Sequence, residues 1–206
     1  MKMRHRKWDL TRSVAAAAIF GAVSFVLAAA SAPYLPRMPG WGIAFVDPVS
    51  IVWVISFLVF GVYTGLLCSI IGTLGLLFFD PTTPLGPIMK LIATLPIILS
   101  LNYGLTLYRG VEHSGSSLKS LRIYIPLSAL GTAIRVVVMI GVNVLLFLTL
   151  FDISHMAFSV GMINLSAWNA VIMVAALINV EQSIWDCAIP YLAIYKTKFY
   201  ERFAVW

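Results

Sequence analysis

Polar and charged residues recur inside apolar stretches of this sequence, where a membrane-spanning helix carries few of them. In the last such stretch, Asn179, Gln182 and Asp186 are spaced i, i+3 and i+7, so they share one face of a helix. A polar face on a membrane helix turns toward the bundle interior or a cavity. The spacing predicts either ligand contacts or interhelical hydrogen bonds. We expect Asn179 and Gln182 to contact a ligand, and Asp186 to form a structural ion pair with Arg135.

Two further polar side chains belong to the preceding apolar stretch. Arg135 lies about ten residues inside it, too deep for its side chain to extend easily to the membrane surface. Asn143 lies at about 80° around the helix from Arg135, at 100° per residue, so both face the same interior. Lys90 lies near the end of its own stretch, where it either extends to the interface or meets a ligand. We therefore add Lys90 and Asn143 to the predicted binding residues.

Aromatic residues cluster near the ends of the apolar stretches. Trp41, Phe45, Trp53 and Trp168 occupy such positions. This placement is typical of the aromatic belt at a membrane interface, and the alternative is stacking on a flat ligand. We include Trp168 among the residues expected to bind a substrate.

The motifs of common catalytic sites are absent from the sequence. There is no GxxxxGK[ST] nucleotide loop, no HExxH, no GxSxG and no cluster of Cys and His. We therefore expect no catalytic residues, no metal site, no cofactor and no ATP hydrolysis by this chain. Two alternatives remain open: an embedded enzyme using Glu181, Asp186 and Arg135, and an autonomous transporter in which Glu181 or Asp186 relays protons.

Composition identifies the environment in which these residues must be positioned. The chain has 206 residues, of which 61% are hydrophobic and 11% charged. A soluble domain of this size cannot bury so much apolar surface, and apolar runs of about 20 residues recur. Helices are expected because the backbone must satisfy its own hydrogen bonds in lipid. We predict an all-α polytopic membrane protein forming one domain over residues 1–206.

The spans follow from the apolar runs and the turn residues between them. Pro48–Phe79 contains no charge and would measure roughly 48 Å as one helix, against a hydrocarbon core of about 30 Å. We therefore predict two short helices with a turn at Tyr63-Thr64, and a short interfacial helix within 152–171. The first span is expected to remain uncleaved, although its basic flank resembles a signal peptide. The six predicted spans are 13–32, 48–62, 65–79, 87–107, 125–151 and 172–195.

The distribution of cations orients the spans. Six spans place 11 of the 14 lysines and arginines on the side that holds both termini and the loop containing Lys119. The opposite loops then contain Arg37 as their cation. Because cytoplasmic loops carry the excess of Lys and Arg, we predict a multi-pass protein of the cell membrane with both termini in the cytoplasm.

Several of these features together resemble a known family. Span 1 contains Ala18 and Ala22 in an A-x-x-x-A pattern, and the short hairpin contains Gly61 and Gly65 in the pattern FG-x-x-x-G, followed by a glycine-rich third span. With the length and the six spans, the chain resembles the substrate-binding S components of energy-coupling factor (ECF) vitamin transporters. The segments RVVVMIGVNVLLF and ALINVEQSI are most similar to the riboflavin-specific members. Gln182 stands where those members have a lysine.

The resemblance implies a function in uptake. Such a subunit captures a vitamin from outside and docks on a separate transmembrane T protein driven by two ATPase subunits. Ala18 and Ala22 would form the docking face, and the loop at 33–47 would cover the ligand. Riboflavin is the first candidate, and thiamine, biotin or another vitamin-like compound are alternatives.

Overall fold

The computed structural model describes residues 2–31, 33–38, 41–109, 115–197, 199–203 and 206. The described chain is mostly α-helical, in agreement with the predicted all-α class. Its helices are α1 Lys2–Ser31, α2 Pro48–Phe60, α3 Val62–Leu76, α4 Leu85–Arg109, α5 Leu121–Thr149, α6 Ala167–Tyr195 and α7 Phe199–Phe203, with a short 3-10 turn at Gly115–Lys119. Among the described residues, four helical segments are long and apolar enough to cross a membrane: Leu10–Ser31, Leu85–Tyr108, Leu121–Thr149 and Ala167–Tyr195.

The two short helices α2 and α3 are joined at Gly61. The predicted turn at Tyr63-Thr64 is wrong, because both residues lie inside α3. Gly61 adopts φ 89°, a conformation that glycine reaches without steric cost, and its N–H donates to the Phe57 carbonyl at 2.8 Å. At about 1.5 Å per residue, the 13-residue α2 and the 15-residue α3 measure roughly 20 and 22 Å.

Helix α2 occupies the centre of the bundle and packs against α1, α3, α4 and α6. It begins with Asp47 as N-cap, which accepts a hydrogen bond from Val49 N at 2.9 Å, and with Pro48 in the first turn. Ten of its 13 residues are buried, Trp53 and Phe57 completely. Because α2 is surrounded by other helices, it has no side facing water, and its side chains are almost all apolar.

Helix α1 packs against α3 through small residues. Ala17 and Gly21 are buried, and a Cβ added to Gly21 would lie 2.5 Å from the Ile71 side chain. Ala18 and Ala22 lie on the exposed side of the same helix. Glycine also permits close approach within the α2–α3 hairpin, where a Cβ on Gly65 would lie 2.6 Å from the Phe57 Cβ.

The connection between α5 and α6 is a β-hairpin, so the prediction of a short interfacial helix there is wrong. Strands β1 (Ala157–Val160) and β2 (Ile163–Ser166) pair in antiparallel register around Gly161, which has φ 59°. Before the hairpin, backbone and side-chain hydrogen bonds from Ser154 lower the pKa of the exposed Asp152 carboxyl. Helix α6 begins at Ala167, five residues before the predicted span.

One end of the bundle gathers the end of α6, the 3-10 turn and the α2–α3 connection. The hydroxyl of Tyr195 donates to Gly115 O at 2.9 Å, and that of Tyr191 donates to Lys119 O at 2.7 Å. Trp206 Nε1 donates to Leu58 O at 3.1 Å, near the last turn of α2. These contacts close this end of the bundle, and the main cavity lies at the other end.

Candidate binding site

A cavity of about 590 Å³ opens between the helices at the end opposite Trp206. Its walls come from the start of α2 and α4, the second half of α5 and the first half of α6, and from the loops before α2 and α4. This volume lies within the range of roughly 300–1,000 Å³ that small-molecule sites occupy. Of the residues predicted to bind a ligand, four line it: Lys90, Asn143, Asn179 and Gln182.

Arg135 forms the polar floor of the cavity. Its side chain is 2% exposed and donates three hydrogen bonds, from Nε to Asn179 Oδ1 at 2.9 Å, from one terminal nitrogen to Asp186 Oδ2 at 2.6 Å, and from the other to Gln182 Oε1 at 2.8 Å. It lies 14 residues before the end of α5, or about 21 Å along the helix. The polar face of α6 therefore converges on one guanidinium deep in the bundle.

The second carboxylate oxygen of Asp186 is held by α2. Ser50 Oγ donates to Asp186 Oδ1 at 2.6 Å, and both side chains are buried. The carboxylate thus accepts from a cation on one side and a hydroxyl on the other, as a buried charge requires. This arrangement connects α5, α6 and the first turn of α2.

Lys90 forms an ion pair with Asp47 inside the cavity wall. The Lys90 Nζ contacts Asp47 Oδ2, and the two side chains are 21% and 7% exposed. Asp47 Oδ1 caps α2. Lys90 therefore links the second turn of α4 to the N-cap of α2, and it also lines the cavity.

Asn179 and Gln182 line the cavity, yet both side chains are engaged within the protein. Each accepts from Arg135 through its oxygen; Asn179 Nδ2 donates to Ala175 O at 2.8 Å, and Gln182 Nε2 donates to Ala44 O at 2.6 Å. Gln182 thus ties the loop before α2 to the floor of the cavity. The two amides thus hold Arg135 and the loop before α2 in place while they line the cavity.

The Asn143 side chain makes fewer hydrogen bonds within the protein than Asn179 or Gln182. Its Nδ2 donates to Met139 O at 2.8 Å, and its Oδ1 accepts no hydrogen bond from the described residues. It lies two helical turns above Arg135 on the same side of α5. Its amide therefore has free hydrogen-bonding capacity toward the cavity.

Trp168, which was also predicted to bind a substrate, does not belong to the described lining of the cavity. It lies in the first turn of α6, half-buried, and the lining from that helix begins at Val174. Trp168 lies nearly two helical turns before Val174, at about 3.6 residues per turn. Glu181 also lies outside the described lining and accepts a hydrogen bond from Trp185 Nε1 at 2.6 Å.

An aromatic wall lies above Asn143, and of its three residues only Trp41 was considered for ligand stacking from the sequence. The Trp41 and Phe147 rings meet edge to face at 6.4 Å between centroids, and Phe147 and Phe151 lie at 5.5 Å. All three residues line the cavity. The i+4 spacing of Arg135, Met139, Asn143 and Phe147 is the signal that could have found it, because such residues share a helix face.

The remaining predicted site residues lie away from the cavity. Ala18 and Ala22 are exposed on α1. In the described part of the chain, no group of three or more His, Cys, Asp or Glu could hold a metal ion.

Comparison of the chain with models of protein families, with curated proteins and with solved structures gives no match.

Proposed function

We propose that this protein is the substrate-binding S component of an ECF-type transporter, which captures a vitamin-like molecule from outside the cell. The observation that carries the proposal is the cavity of about 590 Å³ with a polar floor around Arg135 and an aromatic wall around Phe147. Apolar pockets with a few convergent polar groups are typical of small-molecule sites. The function is binding rather than catalysis.

The ligand proposed first is riboflavin, and thiamine, biotin or another micronutrient are alternatives. A flavin has a flat ring system that would lie against Trp41, Phe147 and Phe151. Its polar groups would reach Asn143 and Lys90, whose hydrogen-bonding capacity is not used up within the protein. Asn179 and Gln182 would contribute by holding Arg135 and the covering loop in place.

The proposal includes six spans with both termini in the cytoplasm. Helices α2 and α3 are too short to cross a bilayer of about 30 Å unaided, but α2 is shielded from lipid by its neighbours. Gly61, Trp206 and the turn at Gly115–Lys119 lie together at the end opposite the cavity. Lys119 and Lys196 belong to this end, which supports its cytoplasmic orientation.

The proposed partners are a transmembrane T protein and two ATPase subunits. Support comes from the two small-residue pairs of α1, which have different roles in the bundle. Ala17 and Gly21 pack against α3, whereas Ala18 and Ala22 remain exposed. Exposed small residues permit close approach of another membrane helix.

The test begins with purification of the full chain in detergent, denaturation, and mass spectrometry of any small molecule released. Release of a flavin supports the proposal together with its first ligand, and release of another vitamin supports the function while replacing the ligand. Uptake is then measured in liposomes with and without the T protein and the ATPases. Concentrative uptake by the chain alone would overturn the proposal in favour of an autonomous transporter.

The orientation is tested by single cysteines on exposed positions. A membrane-impermeant thiol reagent applied outside intact cells should label Ser159→Cys in the hairpin and spare Ser120→Cys before α5. The reverse pattern would contradict the proposed topology.

A further inference from the structure

Six ionisable side chains line or directly back the cavity among the described residues, and their formal charges cancel. Three are cations and three are carboxylates. The cations are Arg37, Lys90 and Arg135, and the carboxylates are Asp47, Asp80 and Asp186.

The four deeper charges are neutralised in pairs by the protein itself. Lys90 pairs with Asp47, and Arg135 pairs with Asp186 at 2.6 Å. Arg135 and Asp186 are 2% and 1% exposed, so bulk water solvates neither charge well. Removing one partner of such a pair leaves the other charge without its counter-ion at low dielectric, which is costly.

The two remaining charges lie at the mouth of the cavity. Arg37 donates from one terminal nitrogen to Gly42 O at 2.7 Å, and Asp80 Oδ1 accepts from Thr82 N at 2.8 Å. Both side chains are partly exposed, where solvent and salt screen them. Their signs are opposite, so the mouth does not select for one sign of charge.

We propose that the ligand carries no net charge and is recognised through uncharged amide, imide or hydroxyl groups. This inference rests on the proposed function, because it concerns the ligand of the same cavity. A charged ligand would have to leave water without a free counter-ion in the floor, or break a buried pair. A neutral ligand meets the free Asn143 amide and the aromatic wall without either cost.

The experiment uses matched neutral and anionic probes. Binding to the purified full chain is measured by calorimetry for riboflavin and riboflavin 5′-phosphate, biotin amide and biotin, and nicotinamide and nicotinate. For any pair that binds, we expect the uncharged member to bind at least about 100-fold tighter, because the anion finds no free counter-ion.

Two variants shift the charge of the cavity wall in opposite directions. Asp47→Asn keeps an N-cap acceptor for Val49 N but leaves Lys90 unpaired, so the neutral-to-anion affinity ratio should fall at least about tenfold. Lys90→Met leaves Asp47 unpaired and should raise the ratio. Asp152→Asn makes the same charge change as Asp47→Asn outside the cavity and should leave the ratio unchanged.

The outcomes separate this inference from the proposed function. Tighter binding of an anionic member by the unmodified protein, or an unchanged ratio in both Asp47→Asn and Lys90→Met, overturns the neutral-ligand inference and leaves the binding function standing. If none of the probes binds and no small molecule is released on denaturation, both are overturned.

Discussion

The guanidinium of Arg135 on α5 and the carboxylate of Asp186 on α6 meet at 2.6 Å in the interior, 51 positions apart in the chain. Asn179 and Gln182 hold the other nitrogens of the same guanidinium. One arginine thus joins two long helices, and Ser50 extends the contact to α2. This cluster sets the floor of the cavity, and several expected outcomes follow from it.

Removing one partner of the Arg135–Asp186 ion pair should destabilise the folded protein. Arg135→Met leaves the Asp186 carboxylate buried without its cation, and we expect a loss of about 3–5 kcal/mol in stability. The double variant Arg135→Met/Asp186→Leu should recover much of this loss, because neither charge remains. The measurement is unfolding in detergent, followed by tryptophan fluorescence.

Lys119→Met is the control for this prediction, since its ion pair with Glu201 is more than half exposed. It should change stability by less than about 1 kcal/mol. Equal losses in Arg135→Met and Lys119→Met would show that the interior pair has no special role.

Removal of the Gln182 amide should loosen the loop before α2. Gln182→Leu leaves Ala44 O and one Arg135 nitrogen without their partner, at a cost of about 1–3 kcal/mol. Hydrogen exchange should accelerate at the amides of Gly42 and Phe45 by roughly tenfold, while the β-hairpin keeps its rate.

Asn169→Leu serves as the matched substitution, because this side chain is exposed on the same helix. It should leave exchange in the loop unchanged. If the amides of Gly42 and Phe45 exchange as slowly in Gln182→Leu as in the unmodified protein, Gln182 does not hold the loop before α2.

Substitutions of Asn143 and Asn179 should affect ligand affinity and stability to different extents. Asn143→Ala removes an amide with free capacity, and ligand affinity should fall about tenfold with little change in unfolding. Asn179→Ala removes a partner of Arg135 and should lower both affinity and stability. Calorimetry with the co-purified ligand measures the first effect, and detergent unfolding the second. Full affinity in Asn143→Ala would remove this residue from the site.

Gly61 should tolerate alanine poorly, because its backbone conformation rather than a close neighbour excludes a side chain. Gly61→Ala forces an L-residue to φ 89°, at a cost of about 1–3 kcal/mol. Gly141→Ala is its control, since a Cβ there meets nothing within 4 Å and alanine favours a helix. Comparable losses of thermal stability in the two variants would contradict the assignment of the turn to Gly61.

Ala18 and Ala22 should be needed for assembly with the partner proteins and not for folding. Ala18→Trp and Ala22→Trp place bulk on the outer side of α1, so co-purification with the T protein and the ATPases should be lost. Detergent stability should stay near that of the unmodified protein. Val26→Trp, one turn beyond Ala22 on the same exposed side of α1, tests how far the docking face extends. Retained assembly in both alanine variants would place the docking face elsewhere.

The sequence by itself determined the membrane class, the helical fold and the approximate place of each long helix. These follow from composition and from apolar runs, which depend on the solvent rather than on particular neighbours. It also placed Asn179, Gln182 and Asp186 on one face of α6, because helical periodicity is local. The turn between the short helices was predicted at Tyr63-Thr64 instead of Gly61, because glycine at 61 and at 65 both suit a turn. The hairpin at 157–166 was missed, since the pattern there does not distinguish a short strand from a short helix.

Only the tertiary structure decided which polar residues are partners of each other. Spacing along α6 cannot tell that Asn179 and Gln182 both bind Arg135, or that Lys90 meets Asp47, because each contact joins helices distant in sequence. Trp168 was expected at the site and lies outside its described lining, whereas Phe147 lines it. The physical reason is that a cavity is formed by the relative positions of several helices, and these depend on packing across the whole bundle.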